Sequence, residues 1–396
     1  MVDNDEAQLP FDSVDEVSCV KDSRARAIRR RRNKFRTHPS PKGQMSALRK
    51  AWTPGTNLSQ AVPAELESLV NWFEGQPDAR ERFRWALRDS LDECLDGQRT
   101  GRWAYQHLTK TEKTYLGTAV EVNLTKEFEI ENGADLDWQV LGIDLDCKFS
   151  KDAGSWEIPM EMYLCPDHGD RSGKADHPAL LVWFNDNTGH WAAGMVKVTD
   201  DRLRWKVAKE GEPPKRAYNR DNKRKFADHT FTGIYWLWGG LQRDLPSNLL
   251  LGLADDARSR IFADAKSGQK RVNQLFREVQ GRIVGRQTVL TVAQQDDAPK
   301  RARDARIQLR TEGIIVLGHQ DMHPKIARAL NITVPVKGEW IAVRLKSASA
   351  NETNWFAVDG VHWTVATAAD PVVAAPELPA VNYATRYSFP APSPTN

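Results

Sequence analysis

Residues 137–148, DWQVLGIDLDCK, constrain this chain more than any other stretch. Apolar and polar residues alternate on both sides of Gly142, the pattern of two short strands joined by a turn. Asp146 and Lys148 are two residues apart on the second strand, so they project from one face while Cys147 points away. Asp137 is expected on the preceding strand. A helix over 109–128 has the buried stripe Leu116, Ala119, Val120, Leu124 and Phe128, with Glu121 at its edge. Gly117 and Thr118, one turn earlier, are small and leave room for a ligand to approach Glu121.

Three carboxylates converging on one pocket repel: at ~4 Å and an effective dielectric near ~20, each pair costs about 4 kcal/mol. A hard divalent cation removes that cost, and oxygen-only ligands favour Mg2+ over zinc. Asp137 and Asp146 are the first candidate ligands, with the Cys147 backbone carbonyl as a further one and Glu121 completing the shell. Lys148 is suited to contact a scissile phosphate and to orient or deprotonate an attacking water. The pattern reads as a metal-dependent hydrolytic site. Spacing alone leaves open a polar hairpin with a surface ion pair.

The rest of the chain frames that site. At 396 residues, with 28% charged and 40% hydrophobic side chains, it suits a soluble protein of two domains with tails. Lys and Arg total 56 against 53 Asp and Glu, a net charge of only +3, so the placement of charge says more than its sum. Basic residues cluster at Arg29, Arg30, Arg31, Arg32, Lys34 and Arg36 and again at Lys300, Arg301, Arg303, Arg306 and Arg310. Such clusters on a nearly neutral chain point to local polyanion contacts. Scattered cysteines suggest a reducing compartment, and no apolar run reaches the ~18 residues of a membrane span, so a cytoplasmic protein without membrane contact is expected.

Residues 1–62 read as a basic, disordered extension, either an arm along DNA or a solvated tail. An endonuclease-like domain is expected over 63–238, with helices beginning at Pro63 and Pro77 and the second ending at Gly97. Cys94 belongs to that helix's buried stripe. The run ALLVWF at 179–184 predicts a strand buried on both faces, and WAAGMVKV at 191–198 another. Cys165, His168 and His177 fall in a polar loop over 164–178, with too few cysteines for a structural zinc site. Residues 201–238, basic and then IYWLW, predict a docking helix, and 239–248 has linker composition. The second domain, 249–370, is expected to hold a helix over 269–284, a strand over 313–317 and a helix over 324–330. Strands over 340–345 and 355–365 follow, the latter turning at Asp359-Gly360, and 371–396 is expected to be a loose tail. The fold class is α/β (α+β) with two domains, and helices followed by a β-ribbon suggest a winged helix-turn-helix.

Several long blocks carry a resemblance: DGQRTGRW (96–103), KTEKTYLGTAVEVNL (110–124), DWQVLGIDLDCKFS (137–150), RVNQLF (271–276), TVAQQDD (291–297) and EGIIVLGHQD (312–321). In this order, over roughly 63–370, they resemble the NaeI family of type II restriction endonucleases. The resemblance implies a nuclease domain of the PD-(D/E)xK class joined to a C-terminal domain with a CAP-like DNA-binding motif. It implies Glu121, Asp137, Asp146 and Lys148 as the active-site set and Mg2+ as cofactor. It further implies a homodimer that binds two copies of a GC-rich palindrome, expected as GCCGGC, cleaving one and held by the other as effector. A cognate DNA methyltransferase is the expected genetic partner. Arg271, Arg277, Arg282, Gln294 and Gln295 are candidate readers of base edges in double-stranded DNA. The competing readings are a non-catalytic DNA-binding regulator and a nuclease that nicks one strand on the same scaffold.

Overall fold

The run at 179–184 is the centre of a mixed sheet and is buried at every residue, so its lack of alternation reflects cover on both faces. A computed structural model describes residues 61–164, 175–208, 210–264, 266–349, 351–379 and 381–390. The expectations for 1–60, for most of the loop at 164–178 and for the end of the tail lie outside the described residues. The chain divides into two compact units. Among the described residues, the first comprises 61–95 and 103–255, the second 96–102 and 256–390.

In the first unit, α1 (Glu67–Gly75) and α2 (Ala79–Leu95) bury Leu69, Val70, Phe73, Phe83, Leu87 and Leu91. The short α3 (Gly97–Thr100) clusters with the second unit. The chain then returns in α4 (Lys110–Phe128), whose start is fixed by a capping box: Thr109 accepts from the Glu112 amide and Glu112 reaches back. Its buried residues are the five expected from the sequence. Strands β1 (Glu131–Asn132), β2 (Trp138–Val140) and β3 (Ile143–Ser150) follow, then β4 (Glu157–Pro159), β5 (Pro178–Asn185), β6 (His190–Lys197), β7 (Lys223–Lys225) and β8 (Tyr235–Trp236). The main sheet runs β1-β2-β3-β5-β6-β8, with β3 and β5 parallel and the other neighbours antiparallel. One face packs on α1, α2 and α4, and the other on Trp156, Met162, Tyr163 and Phe226.

Among the described residues of 201–238 the expected docking helix does not form; the stretch holds short 3-10 turns and strands. Tyr235 and Trp236 instead extend the sheet, paired with Met195 and Gly194. Gly194 lacks a side chain where the Trp236 ring passes: a Cβ there would lie 2.8 Å from it. The stretch 239–248, with its linker composition, is bonded into this unit. Asp244 accepts from Arg80 at 2.8 Å and from the Trp191 indole at 3.1 Å, and Leu245 is buried.

The second unit contains α5 (Asp255–Phe262), α6 (Gly268–Glu278), β9 (Ile283–Gly285), α7 (Arg286–Ala293), α8 (Ala298–Gln308) and β10 (Ile314–Leu317). It continues with α9 (His323–Ala329), β11 (Glu339–Ser347), β12 (Phe356–Val358), β13 (Val361–Val365) and β14 (Tyr387–Ser388). The helix expected over 269–284 stops at Glu278. Gly281 adopts a φ of +74°, and Ile283 and Val284 then pair with Ile341 and Trp340. β-Branched residues after a left-handed glycine favour the strand. The sheet places β11 between β9 and β10, and the Asp359-Gly360 turn closes the β12–β13 hairpin with both φ positive. Among the described residues no helix is long and apolar enough to cross a membrane.

His323 makes this unit acid-sensitive. Its Nδ1 accepts from the Gly318 amide at 3.1 Å, and burial, with Arg306 adding to it, pushes the imidazole down to about 3. The folded state therefore resists a proton that the unfolded chain takes up near ~6.5. Stability is fully present above pH ~6.5 and falls as pH drops, by about 2 kcal/mol at pH ~5. Denaturant titrations at pH 7 and 5 should show that loss in the wild type and a smaller one in His323→Gln.

Candidate active site

The hairpin of β2 and β3 turns through Leu141 and Gly142, both at positive φ. Trp138 pairs with Leu145 at the last register position of β2, and β5 takes over on β3's other edge from Asp146 to Ser150. The two partners thus diverge, and among the described residues no strand pairs with β3's β2-side edge from Asp146 onward. Asp146 and Lys148 lie on that segment, and Asp137 is the residue immediately before β2 rather than within it. The loop leading to Asp137 is pinned by Asp144, whose carboxylate accepts from the Ala134 and Asp135 amides at 3.1 and 2.7 Å.

Asp146 is 3% exposed, and its Oδ2 lies 2.5 Å from the Lys148 ammonium. Among the described residues no donor group meets its buried Oδ1, and the Asp137 carboxyl is near enough to share a proton with Asp146. Burial pushes the carboxyl up to about 7 despite the opposing Lys148, and the nearby Asp137 adds to the rise. Glu121, on α4, is also raised, first by burial and then by Asp137, with Lys148 opposing. Mutual electrostatics of this kind acts only at short range in a partly buried site, so the structure brings Glu121, Asp137, Asp146 and Lys148 together. Cys147 points to the opposite face among Leu145, Leu180 and Val182, and burial raises its thiol well above the ordinary range. It is a core residue, and so is Cys94.

These residues fit a hard cation in one respect that geometry decides. A buried carboxylate oxygen without a partner is costly unless something outside the protein meets it. Among the described residues no three His, Cys, Asp or Glu side chains are grouped so as to hold a metal ion by themselves.

The candidate base readers fare differently. Arg271, a candidate base reader, is 4% exposed and does not face solvent. It donates to the carbonyls of Val292, Ala293 and Asp264 at 2.7, 2.8 and 2.8 Å, closing the C-terminal end of α7. Arg277 makes two 2.7 Å bonds to Glu312. Arg282 and Gln295 are exposed, and Gln294 stands half-buried in a left-handed conformation at the end of α7.

Helix α8 went unrecognised as an element in the sequence. Asp297 caps it through the Lys300 amide and Pro299 lies in its first turn. Ala302, Ala305 and Leu309 face inward, so Lys300, Arg303 and Ile307 form the exposed row, with Ile307 68% exposed. The signal was present in the i, i+3, i+7 spacing of a cluster read only for its charge.

The family model of the restriction endonuclease NaeI matches residues 69–374. The chain is 41% identical over 329 residues to the type II restriction enzyme NaeI of Lentzea aerocolonigenes, an alignment covering 81% of this chain and 94% of that protein. The chain belongs to the NaeI restriction endonuclease family. It is accordingly a type II restriction enzyme, a site-specific deoxyribonuclease. The family match spans the hairpin, α4 and the helices of the second unit alike.

Proposed function

We propose that this NaeI-family enzyme makes a Mg2+-dependent double-strand cut in duplex DNA at a GC-rich palindrome, expected as GCCGGC, and is activated by a second copy of that site. The observation that carries the reading is the buried Asp146 oxygen that no donor group meets among the described residues, beside Lys148 on the open edge of β3. Asp146, Asp137, Glu121 and the Cys147 carbonyl would hold the Mg2+. When bound, the ion supplies charge neutralisation at the phosphate and at the leaving oxygen.

The protein's own part is positioning and proton handling. Lys148 stays oriented by Asp146 and contacts the scissile phosphate, placing positive charge where negative charge develops. The same ammonium orients the attacking water. Glu121, with its raised carboxyl, can receive a proton from that water. Burial of Asp146 excludes water from one wall of the pocket, which strengthens each of these interactions.

The first unit then corresponds to a PD-(D/E)xK nuclease domain and the second to a winged helix-turn-helix. Support for the latter is the order α6-β9-α7-α8-β10-β11 around the β9-β11-β10 ribbon. In that arrangement α8 enters the major groove, so Lys300, Arg303 and Ile307 join Arg282, Gln294 and Gln295 as DNA-contacting residues. A homodimer gives the symmetric cut, and a cognate methyltransferase protects host sites. Digestion of plasmids carrying one or several GCCGGC sites tests the reading. Linear fragments that require Mg2+ and form faster with several sites are expected; nicked circles alone, or no cutting with Mg2+, would overturn it.

A further inference from the structure

Two lysines of the first unit converge on one aromatic ring beside the proposed active site; among the described residues Lys113 has no ion pair, and Lys151 has one long ion pair, to Asp186. Lys113 lies on α4 two turns before Glu121, and Lys151 follows Lys148 by three residues. Their ammonium groups sit 5.1 and 4.6 Å from the centre of the Tyr105 ring. Lys151 is 23% exposed, and its polar contacts are long: 3.4 Å to Asp186 Oδ1 and 3.5 Å to the Phe184 carbonyl. Charge-assisted bonds normally close to about 2.8 Å. Among the described residues Lys113 meets the ring and the like charge of Lys151.

The carboxylates around the pair do not fill its need. Asp186 is buried, and its Oδ2 already accepts the Tyr105 amide at 3.1 Å, so it anchors the ring as much as the lysine. Asp152 is exposed to solvent, where its charge is screened. Burial and these two aspartates raise the Tyr105 phenol to about 12, keeping it neutral under two cations. What remains is a half-buried, ring-backed pair of ammonium groups that share one long ion pair, from Lys151 to Asp186.

Their distance from the catalytic cluster follows from the elements that carry them. Three residues of β3 span about 10 Å and eight residues of α4 about 12 Å. The two elements cross at Gly117 and Phe149, where a Cβ on the glycine would lie 3.9 Å from the phenylalanine Cβ. That crossing lies between the acidic cluster on one side and the lysine pair on the other. Phosphates of one strand of duplex DNA recur about every 3.4 Å of axis, so the pair stands within about three nucleotides of the scissile phosphate.

We propose that Lys113 and Lys151, on the Tyr105 platform, form a second phosphate clamp that grips the backbone of the cleaved strand beside the scissile phosphate. This rests on the endonuclease reading above. The clamp fixes the strand's position beside the site, so the scissile phosphate meets Lys148 without sliding.

The test measures binding of a short duplex carrying GCCGGC across a salt series, and single-turnover cleavage of duplexes with one neutral methylphosphonate walked along the cut strand. Lys113→Gln is the principal variant, because it leaves the Asp186–Lys151 contact intact; Lys113→Gln with Lys151→Gln is the second, and Lys113→Arg the rescue. The clamp predicts a log-affinity slope against log salt shallower by about 0.9 for the double variant, in which the clamped phosphate is no longer neutralised, and by part of that for Lys113→Gln. It also predicts one off-centre methylphosphonate position that slows the wild type by about ten- to hundredfold but not Lys113→Gln. Lys113→Arg should restore both. An unchanged slope and unchanged methylphosphonate pattern, in a wild type that binds and cuts, overturn the clamp alone. A wild type that neither binds nor cuts the duplex overturns the endonuclease reading and the clamp together.

Discussion

Replacing Asp146 with Asn is expected to abolish cleavage and, at the same time, to stabilise the cation-free protein at pH 8. The first effect follows from removing a proposed metal ligand and the partner that orients Lys148, a loss of several kcal/mol at the transition state and about a thousandfold or more in rate. The second follows from burial. The folded protein holds the Asp146 carboxyl at about 7, whereas an unfolded chain releases that proton near ~3.9. Below pH ~4 both states are protonated and the residue contributes nothing. Between ~4 and ~7 the folded state keeps the extra proton and stability falls as pH rises. Above pH ~7 the whole cost, about 4 kcal/mol, is present. Asparagine removes the buried charge but leaves Lys148 without its 2.5 Å partner, so a net gain of about 1–3 kcal/mol is expected. Denaturant midpoints in EDTA at pH 8 and pH 4 measure it. Equal stability of variant and wild type at pH 8 would remove burial as the cause. Adding Mg2+ should then stabilise the wild type and leave Asp146→Asn unmoved.

Arg271→Met is expected to destabilise the second unit by about 3–6 kcal/mol, because three buried carbonyls lose their donor at once. Arg271→Lys should rescue little, since one ammonium cannot reproduce a planar fork that reaches three acceptors. Arg303→Ala offers the contrast. It is exposed on α8, so its stability should change by less than about 0.5 kcal/mol while duplex binding weakens. Urea titrations of both variants, with binding measured at a fixed salt concentration, separate the roles. An Arg271→Met protein with wild-type stability would show that the guanidinium is not what closes α7.

The proposed site was legible because its chemistry is local. Asp137, Asp146 and Lys148 sit within twelve residues of hairpin, and Glu121 is placed by the stripe of one helix. The double burial of β5 was equally plain in an unbroken apolar run. Less was legible where two geometries suit the same composition. The aromatic stretch at 235–238 satisfies a helix or an edge strand by pattern, and the pairing of Trp236 over Gly194 chose the strand. The helix beginning at Gly268 continues in pattern through Ile283, yet Gly281 and the free edge of β11 ended it early.

Sequence by itself determined the residue types and spacings: an Asp-Cys-Lys on a strand, a glutamate on an amphipathic helix, a capping box, a glycine turn, and the family they belong to. Those depend on periodicity and short-range sterics, which a window of residues carries. Only the tertiary structure decided which charges were free. Arg271 and Lys113 are both basic residues on amphipathic helices, and nothing in spacing tells them apart. One is enclosed and bonded to three carbonyls; the other meets a tyrosine ring, a second lysine and solvent. The same holds for Asp146, whose carboxyl is raised because surrounding elements exclude water from it. Desolvation and partner supply are properties of the packed neighbourhood, and they are what separates a structural charge from one available to a ligand.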